Sequence, residues 1–275
     1  MSVSPATIIF APYDIGRKAY RSRRGVRTAA FHDESRGMSA FFEELDYRPT
    51  PIGALSLRRR WDLRLGVDVY EIKLGDEYLM SSRFTASEIA LARLGLASLS
   101  GEGFEVVVGG LGLGHTAKAV LEDERVASLI VVDALQAVID WHEEGLVPLG
   151  PELTADPRCR FVHGDFFALA ASDDGFDPDA PGRTFDAVLV DIDHSPDFLL
   201  DPANAAFYGS EGLARLAAHL RPAGVFGLWS NDRPDGAFTA RLAEVFDGAR
   251  AEEVTFDNPL QDVPFTQTVY LATRR

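Results

Sequence analysis

From Phe104 onward, short apolar runs alternate with segments of helical pattern. The runs read FEVVVGG, SLIVVD, CRFVHGD, FDAVLVDID and GVFGLWS, and the segments between them include AKAVLED, ALQAVIDWHEEG and EGLARLAAHL. Because a continuously apolar strand must be covered on both faces, this pattern is typical of a parallel sheet with helices on either side. The alternation therefore predicts an α/β domain.

The C-terminal part departs from this alternation. A helical segment, AFTARLAEVF, is followed by the run AEEVTF, a loop through Asn258 and Pro259, and a second run, TQTVYLAT. No helical segment separates the two runs, and strands joined only by a loop pair in the antiparallel direction. We expect this antiparallel pair to close the sheet.

The N-terminal part predicts a small β region. Three runs, LSLRRR, VDVYEIKL and EYLMS, are separated by the turn-rich DLRLG and GDE. Thr85 and Glu88 then form a capping-box pattern, in which the hydroxyl and the carboxylate bond to amides at a helix start. We therefore divide the chain into an N-terminal arm with a small β region, 1–84, and a larger α/β domain, 85–275.

The charge of the chain is acidic and unevenly distributed. Its 275 residues carry 42 acids and 27 bases, a net charge of −15, and residues 84–275 alone have a net charge of −18. Since phosphate contacts need clustered cations, we expect no nucleic-acid partner. The basic run in residues 17–27 could bind an anion, but we interpret it as a solvated face or a frayed arm.

Two further features bear on the cellular compartment. The single cysteine, Cys159, cannot form an internal disulfide, so the chain needs no oxidising environment. No apolar run approaches the ~18 residues of a membrane span. We expect a cytoplasmic protein with no membrane partner.

A glycine-rich turn follows the first apolar run. Gly110, Gly112 and Gly114 have the spacing G-x-G-x-G, which differs from the G-x-G-x-x-G of dinucleotide sites. Glycines let a backbone turn tightly and approach a ligand, and the next helix offers free amides at its N-terminus. We assign these three glycines to a cofactor-binding loop.

Carboxylates end the next two runs. Asp133 lies 23 residues after Gly110, where a carboxylate can bind a ribose diol. Asp165 and Phe166 follow the third run, where an acid and an aromatic ring could bind an adenine. Glycine turns and aspartates at strand ends also occur where they serve only to end a strand or form a turn. Their common position at the carboxyl edge of one sheet favours an adenosine-type cofactor.

The fourth apolar run ends in the candidate catalytic residues. Asp191 follows the strand directly, so its carboxylate can take a proton from a nucleophile or pair with a cation. Asp193 and His194 lie beside it, and histidine titrates near neutrality. A turn through Pro196 or a helix cap is the structural alternative. A magnesium site would need a third oxygen ligand that we do not find, so we expect no metal.

These motifs together resemble the spermidine synthase-like family within the class I S-adenosylmethionine-dependent methyltransferase fold. The resemblance covers residues 70–272 and rests on YEIKLGDEYLMSSRFTASEIALARL, VVVGGLGLGHTAKAVLED, FDAVLVDIDHSP and AFYGSEGLARLAAHLRPAGVFGLWS. It implies a Rossmann-like, mostly parallel seven-stranded sheet with a C-terminal antiparallel strand pair. It also implies that Asp133 binds the ribose, Asp165 the adenine, and that Asp191 holds or deprotonates the attacking amine.

The sequence departs from the family pattern at several positions. Leu113 stands where the glycine loop of spermidine synthases has the acid that holds the amino group of the donor, and leucine accepts no hydrogen bond. Met80 falls near the family's glutamine, and SEIALA occupies the region of its Tyr-His-Glu sequence. The D-x-x-D-P motif is altered in spacing around Asp191.

The resemblance and the departures lead to one main hypothesis. We expect a transferase that binds S-adenosylmethionine, or its decarboxylated form, and transfers a methyl group to a small acceptor. The acidic larger domain favours an amine-bearing acceptor. A polyamine aminopropyltransferase with an altered donor site and a non-catalytic cofactor-binding homologue are the alternatives. A homo-oligomer is consistent with the family.

Overall fold

The computed structural model describes residues 8–9, 41–50, 53–258 and 263–275. The basic run in residues 17–27 lies outside them. The strands are β1 (Ile8–Ile9), β2 (Phe42–Thr50), β3 (Gly53–Asp62), β4 (Val67–Leu74), β5 (Glu77–Ser81), β6 (Phe104–Gly109), β7 (Val126–Asp133), β8 (Cys159–His163), β9 (Phe185–Val190), β10 (Leu220–Ser230), β11 (Asp247–Asn258) and β12 (Val263–Thr273).

Helices connect most strands of the larger domain. They are α1 (Ala86–Ala97), α2 (His115–Leu121), α3 (Gln136–Glu143), α4 (Gly150–Ala155), α5 (Phe166–Ala171), α6 (Ser210–Ala218) and α7 (Gly236–Val245), with a 3₁₀ turn at Pro202–Ala206. Within the described ranges, no helix combines the length and the apolar character that crossing a bilayer requires.

The larger sheet has the strand order β1-β11-β12-β10-β9-β6-β7-β8. Neighbours from β10 to β8 pair in parallel, whereas β12 is antiparallel to both β10 and β11. The predicted parallel sheet and its closing antiparallel pair are therefore confirmed, and the two-residue β1 adds a parallel edge beside β11. The strand order reverses next to β6, which is where open α/β sheets bind ligands.

The apolar runs form strands because both of their faces are buried. In β6, Val106 and Val108 pack with apolar residues of α1 to α3, while Val107 faces an aromatic-rich cluster with α5 to α7. The side chains of all three are fully buried. This two-sided burial fixes the sheet and brings the ends of its strands to one edge.

The smaller sheet is an antiparallel meander in the order β2-β3-β4-β5. The sequence predicted the last three of its strands but not β2. Leu55, Leu57 and Ile72 are buried in the same core cluster as Leu91 of α1. This shared core holds the smaller sheet beside the carboxyl edge of the larger one.

The capping box predicted at Thr85 and Glu88 is wrong, although α1 does begin at Ala86. The Thr85 side chain makes no capping hydrogen bond. Glu88 is only 7% exposed, and its carboxylate pairs with the hydroxyl of Ser87. The position of the Glu88 carboxylate is therefore set by tertiary packing, although its spacing from Thr85 is that of a capping box.

Candidate functional site

A cavity of about 680 Å³ opens at the carboxyl ends of the central parallel strands. Strands β4 and β5 of the smaller sheet and the start of α1 provide its opposite wall. The lining residues that carry polar chemistry or shape the loop are Arg60, Glu71, Tyr78, Ser81, Arg83, Glu88, Gly110, Gly112, His115, Asp133, Asp165, Asp191, His194, Asp201, Asn204, Trp229, Asn231 and Gln267. The topology thus brings together side chains that lie far apart in the sequence.

The glycine-rich turn after β6 lies against the cavity at Gly110 and Gly112. Gly110 has φ +91°, and a Cβ there would lie 2.1 Å from the backbone oxygen of Asp191. Gly112 has φ +50°, and its Cβ would lie 2.4 Å from Met80 Sδ. Gly110 thus lets the loop lie against the backbone at the end of β9, and the positive φ of both residues favours glycine. Gly114 instead packs below the loop, against Leu153.

Asp133 ends β7 and supports the glycine loop. Its carboxylate accepts hydrogen bonds from the amides of Leu111 at 2.9 Å and Leu135 at 2.8 Å. Burial raises the pKa of Asp133, and these amides oppose that shift. The carboxylate lines the cavity at the position where the sequence predicts a ribose ligand.

Asp165 and Phe166 occupy different environments. Asp165 caps α5, and only its Oδ1 accepts the amides of Phe167 and Ala168, at 2.9 and 3.3 Å. Among the described residues, none donates a hydrogen bond to its Oδ2. Phe166 is 2% exposed and stacks on Phe176 with ring centroids 4.9 Å apart. Phe166 therefore forms the floor of the cavity, and the less buried Phe167 also lines it.

Asp191 follows β9 and faces the cavity beside the glycine loop. Its amide donates to the carbonyl of Gly109 at 2.8 Å, and its Oδ2 accepts the hydroxyl of Thr116 at 2.6 Å. Burial raises the pKa of Asp191 to about 6, and the Thr116 hydrogen bond opposes the shift. A carboxylate with this pKa is ionised at neutral pH and still basic enough to accept a proton.

Glu88 also lines the cavity, a role that the sequence interpretation missed. Burial, followed by the charge of Asp191, raises the pKa of Glu88 to about 8. Glu88 Oε2 lies 2.8 Å from Ser87 Oγ, which accepts the Trp229 Nε1 hydrogen at 2.9 Å. Ser87 Oγ also lies 2.6 Å from Gln267 Oε1. The position of Glu88 beside an apolar run could have indicated a buried carboxylate, but its spacing from Thr85 is also that of a helix cap.

The loop after β9 places its two other predicted catalytic residues apart. His194 lines the cavity, and its Nε2 lies 2.9 Å from Oε1 of Glu77, the first residue of β5. The structure does not bring Asp193 into the cavity lining. Its buried carboxylate accepts hydrogen bonds from the Leu200 amide, Asn204 Nδ2 and Tyr208 Oη, the last at 2.8 Å. These contacts support the loop.

Leu113 and Met80 define the loop's departure from an acidic donor site. The Leu113 side chain is 1% exposed and packs in the core, away from the cavity. The Leu113 amide instead donates to Met80 Sδ at 2.9 Å, so the methionine of β5 lies directly on the glycine loop. No carboxylate of this loop can reach a ligand amino group.

The wall from the smaller sheet contains charges of both signs. Arg60 Nε donates to Glu71 Oε1 at 2.8 Å, and Arg60 Nη1 lies 3.5 Å from Asp62 Oδ2. Arg83 pairs with the same Asp62 carboxylate, and both side chains are buried. The two arginines and two acids balance one another. The negative charge of the cavity therefore comes from the strand-end carboxylates.

Solved structures share this architecture. The chain matches the spermidine synthase from Thermotoga maritima with a TM-score of 0.63 and 17% identity, over 84% of this chain and 73% of that one. A spermidine synthase in complex with the transition-state analogue AdoDATO matches with a TM-score of 0.64 and 16% identity, over 84% and 74%. The chain has the spermidine synthase fold. No protein-family model matches the sequence.

The spermidine synthase fold confirms the predicted class I, Rossmann-like architecture. The predicted likeness to spermidine synthases is confirmed at the level of fold. The roles assigned to individual carboxylates and glycines stay predictions. Over the described residues, no three side chains from His, Cys, Asp and Glu cluster in a way that could hold a metal ion.

Proposed function

We infer that the protein is a spermidine synthase-like transferase that moves an aminopropyl group from decarboxylated S-adenosylmethionine to a small amine. The observation that carries this proposal is the ionisable carboxylate of Asp191, which faces the cavity on one side of the glycine loop, while Asp133 and Asp165 line it on the other side. Gly110 lets the glycine loop lie directly against the backbone of Asp191, so the loop and this carboxylate border the cavity together. The fold supports the same class of donor.

The reaction balances without any redox partner. The amine lone pair attacks the carbon next to the sulfonium, a C–N bond forms, and the C–S bond breaks with its electron pair moving to sulfur. The product amine then loses one proton, which Asp191 accepts. The chain's main contribution is to hold the two reactants in line and to exclude water.

Methyl transfer from S-adenosylmethionine is the second candidate. Leu113 favours it, because the glycine loop lacks the acid that would hold the amine of an aminopropyl group. The two reactions leave different nucleoside products, methylthioadenosine after aminopropyl transfer and S-adenosylhomocysteine after methyl transfer. A non-catalytic homologue would bind a donor and form neither product.

The test combines calorimetry with product analysis. Decarboxylated S-adenosylmethionine should bind more tightly than S-adenosylmethionine, and a panel of small amines should yield methylthioadenosine. Asp133→Asn should weaken donor binding, whereas Asp191→Asn should retain binding of the uncharged nucleoside methylthioadenosine and lower turnover by about 100-fold or more. The exposed Asp68→Asn, with the same change of charge, is the control. If neither donor binds at millimolar concentration, the proposal fails.

The pH dependence provides an independent check on Asp191. Its carboxylate must be ionised to accept a proton, so turnover should fall as the pH drops through about 6. Asp191→Asn should remove this lower limb from whatever activity remains. A profile that keeps the same limb in the variant would assign the proton transfer to another group.

A further inference from the structure

Glu88 and Asp191 form a pair of carboxyl groups in the lining of the cavity. Both line the same cavity, and the charge of Asp191 is one of the causes that raise the pKa of Glu88. Thr116 donates to Asp191 Oδ2 at 2.6 Å and lies 3.4 Å from the backbone oxygen of Glu88. Within the described part of the chain, no Lys or Arg makes an ion pair with either group. Two ionised carboxylates in such a site repel each other and attract a cation.

The hydrogen-bond geometry around Ser87 assigns a proton to Glu88. Ser87 Oγ has one hydrogen and lies within 2.8 Å of two oxygens, Gln267 Oε1 and Glu88 Oε2. Gln267 is oriented by donation of its Nε2 to Asn231 Oδ1 at 2.9 Å, so its oxygen faces Ser87. The serine hydroxyl therefore donates its hydrogen to Gln267 Oε1, the closer of the two oxygens. The short contact between Ser87 Oγ and Glu88 Oε2 then needs a proton on Glu88, which donates to Ser87 Oγ.

We propose that Glu88 and Asp191 together are the receptor for a ligand ammonium group, with one proton held on Glu88 until the cation binds and displaces it. The proposal rests on the proposed function and deepens it. Glu88 then supplies a carboxylate for the amino group of the donor, which the glycine loop cannot provide because it has Leu113 in place of an acid. An ammonium group would replace the shared proton as the charge that relieves the repulsion.

Other titratable and charged groups line the same cavity as the pair. Asp191 is the charged group at the end of β9, and the residues presented by β10 and β12 are the uncharged Trp229 and Gln267. Burial lowers the pKa of His115, at the start of α2, to about 4, so it is neutral at pH 7. The remaining titratable or charged lining residues, from the smaller sheet and the other loops, are Arg60, Glu71, Tyr78, Arg83, Asp133, Asp165, His194 and Asp201.

The proton count can be measured by calorimetry in buffers of different ionisation enthalpy. The hydrogen-bond arrangement at Ser87 and the raised pKa of Glu88 both place one proton on the pair at neutral pH. Decarboxylated S-adenosylmethionine, which carries the ammonium, should release about one proton per molecule bound. Methylthioadenosine has the same nucleoside without a cation and should release almost none.

Variants separate the role of Glu88 from general damage to the site. Glu88→Gln should abolish the proton release and weaken binding of the decarboxylated donor about tenfold or more. Its affinity for methylthioadenosine should stay within twofold of the wild type. The exposed Glu102→Gln, which removes the same charge outside the cavity, should change neither ligand. If Glu88→Gln binds neither the decarboxylated donor nor methylthioadenosine while Glu102→Gln binds both, Glu88 supports the nucleoside site. That result would overturn the proposal that Glu88 binds the ammonium group.

Other outcomes distinguish this inference from the proposed function. If methylthioadenosine binds but the charged donor releases no extra proton, the receptor is overturned and the nucleoside site stands. If no nucleoside binds, the proposed function fails. The pair is then tested alone by carbon-13 NMR of glutamate-labelled protein, comparing wild type with Glu88→Gln. A Glu88 carboxyl titrating near 8 supports the inference, and one titrating below 5 overturns it.

Discussion

Replacing Asp193 tests whether this residue of the loop after β9 acts in catalysis or stabilises the loop. The sequence favours a catalytic role, because Asp193 lies two residues after Asp191. In the structure its carboxylate accepts hydrogen bonds from the loop at Leu200 and Asn204 and from the hydroxyl of Tyr208. Asp193→Ala would remove the acceptor of all three donors at once.

The expected loss of stability follows from the exposure of each donor. Tyr208 is 2% exposed, so its hydroxyl would lose its acceptor without gaining water, at a cost of about 1 to 3 kcal/mol. Leu200 and Asn204 are half-buried, and water can replace part of what they lose. We expect Asp193→Ala to lower the free energy of unfolding by about 3 kcal/mol in total.

Urea unfolding followed by circular dichroism measures this loss, with linear extrapolation to water. Tyr208→Phe is the matched partner, because it removes the stranded hydroxyl and keeps the ring. It should lower stability by about 1 kcal/mol in the wild type and raise it by about 1 kcal/mol in the Asp193→Ala background. If Asp193→Ala unfolds within 0.5 kcal/mol of the wild type, roughly the scatter of surface substitutions, but abolishes turnover, Asp193 acts in the chemistry and the structural argument is wrong.

Two further predictions concern stability. Burial opposes ionisation of Asp177, but hydrogen bonds from Arg160 and Arg183 lower its pKa from 3.8 to about 2. Asp177→Asn should therefore cost about 2 kcal/mol at pH 7, and the difference from wild type should disappear as the pH falls from about 4 to 2 in urea titrations; a constant difference would contradict this. Gly110→Ala should destabilise the protein by at least about 2 kcal/mol more than Gly66→Ala. Both glycines have positive φ, but only Gly110 lies against a backbone oxygen, and equal thermal shifts would refute the argument.

The sequence predicted most of the fold because buried strands leave a local signal. The runs that became β6, β7 and β9 are apolar at nearly every position, since both faces of the sheet are covered. Their last residues fixed the positions of Asp133 and Asp191 at one edge. β2 was not predicted, because its exposed pattern of charged and apolar residues resembles a loop.

The site was less predictable, because side-chain direction depends on distant neighbours. The spacing of Thr85 and Glu88 is the same for a cap and for a carboxylate in a cavity, and Ser87 and Gln267 decide between them across 180 residues of sequence. Likewise, Asp193 has the same neighbours in sequence whether it faces a substrate or Tyr208.

By itself, the sequence determined the strand pattern, the edge at which the carboxylates gather, and the acidic character of the larger domain. These features follow from local hydrophobicity and from composition. Only the tertiary structure decided that Glu88 joins Asp191, that Asp193 supports its loop, and that Leu113 turns into the core. Burial and the supply of hydrogen-bond partners set the protonation and direction of each carboxyl group, and both depend on residues brought together only by folding.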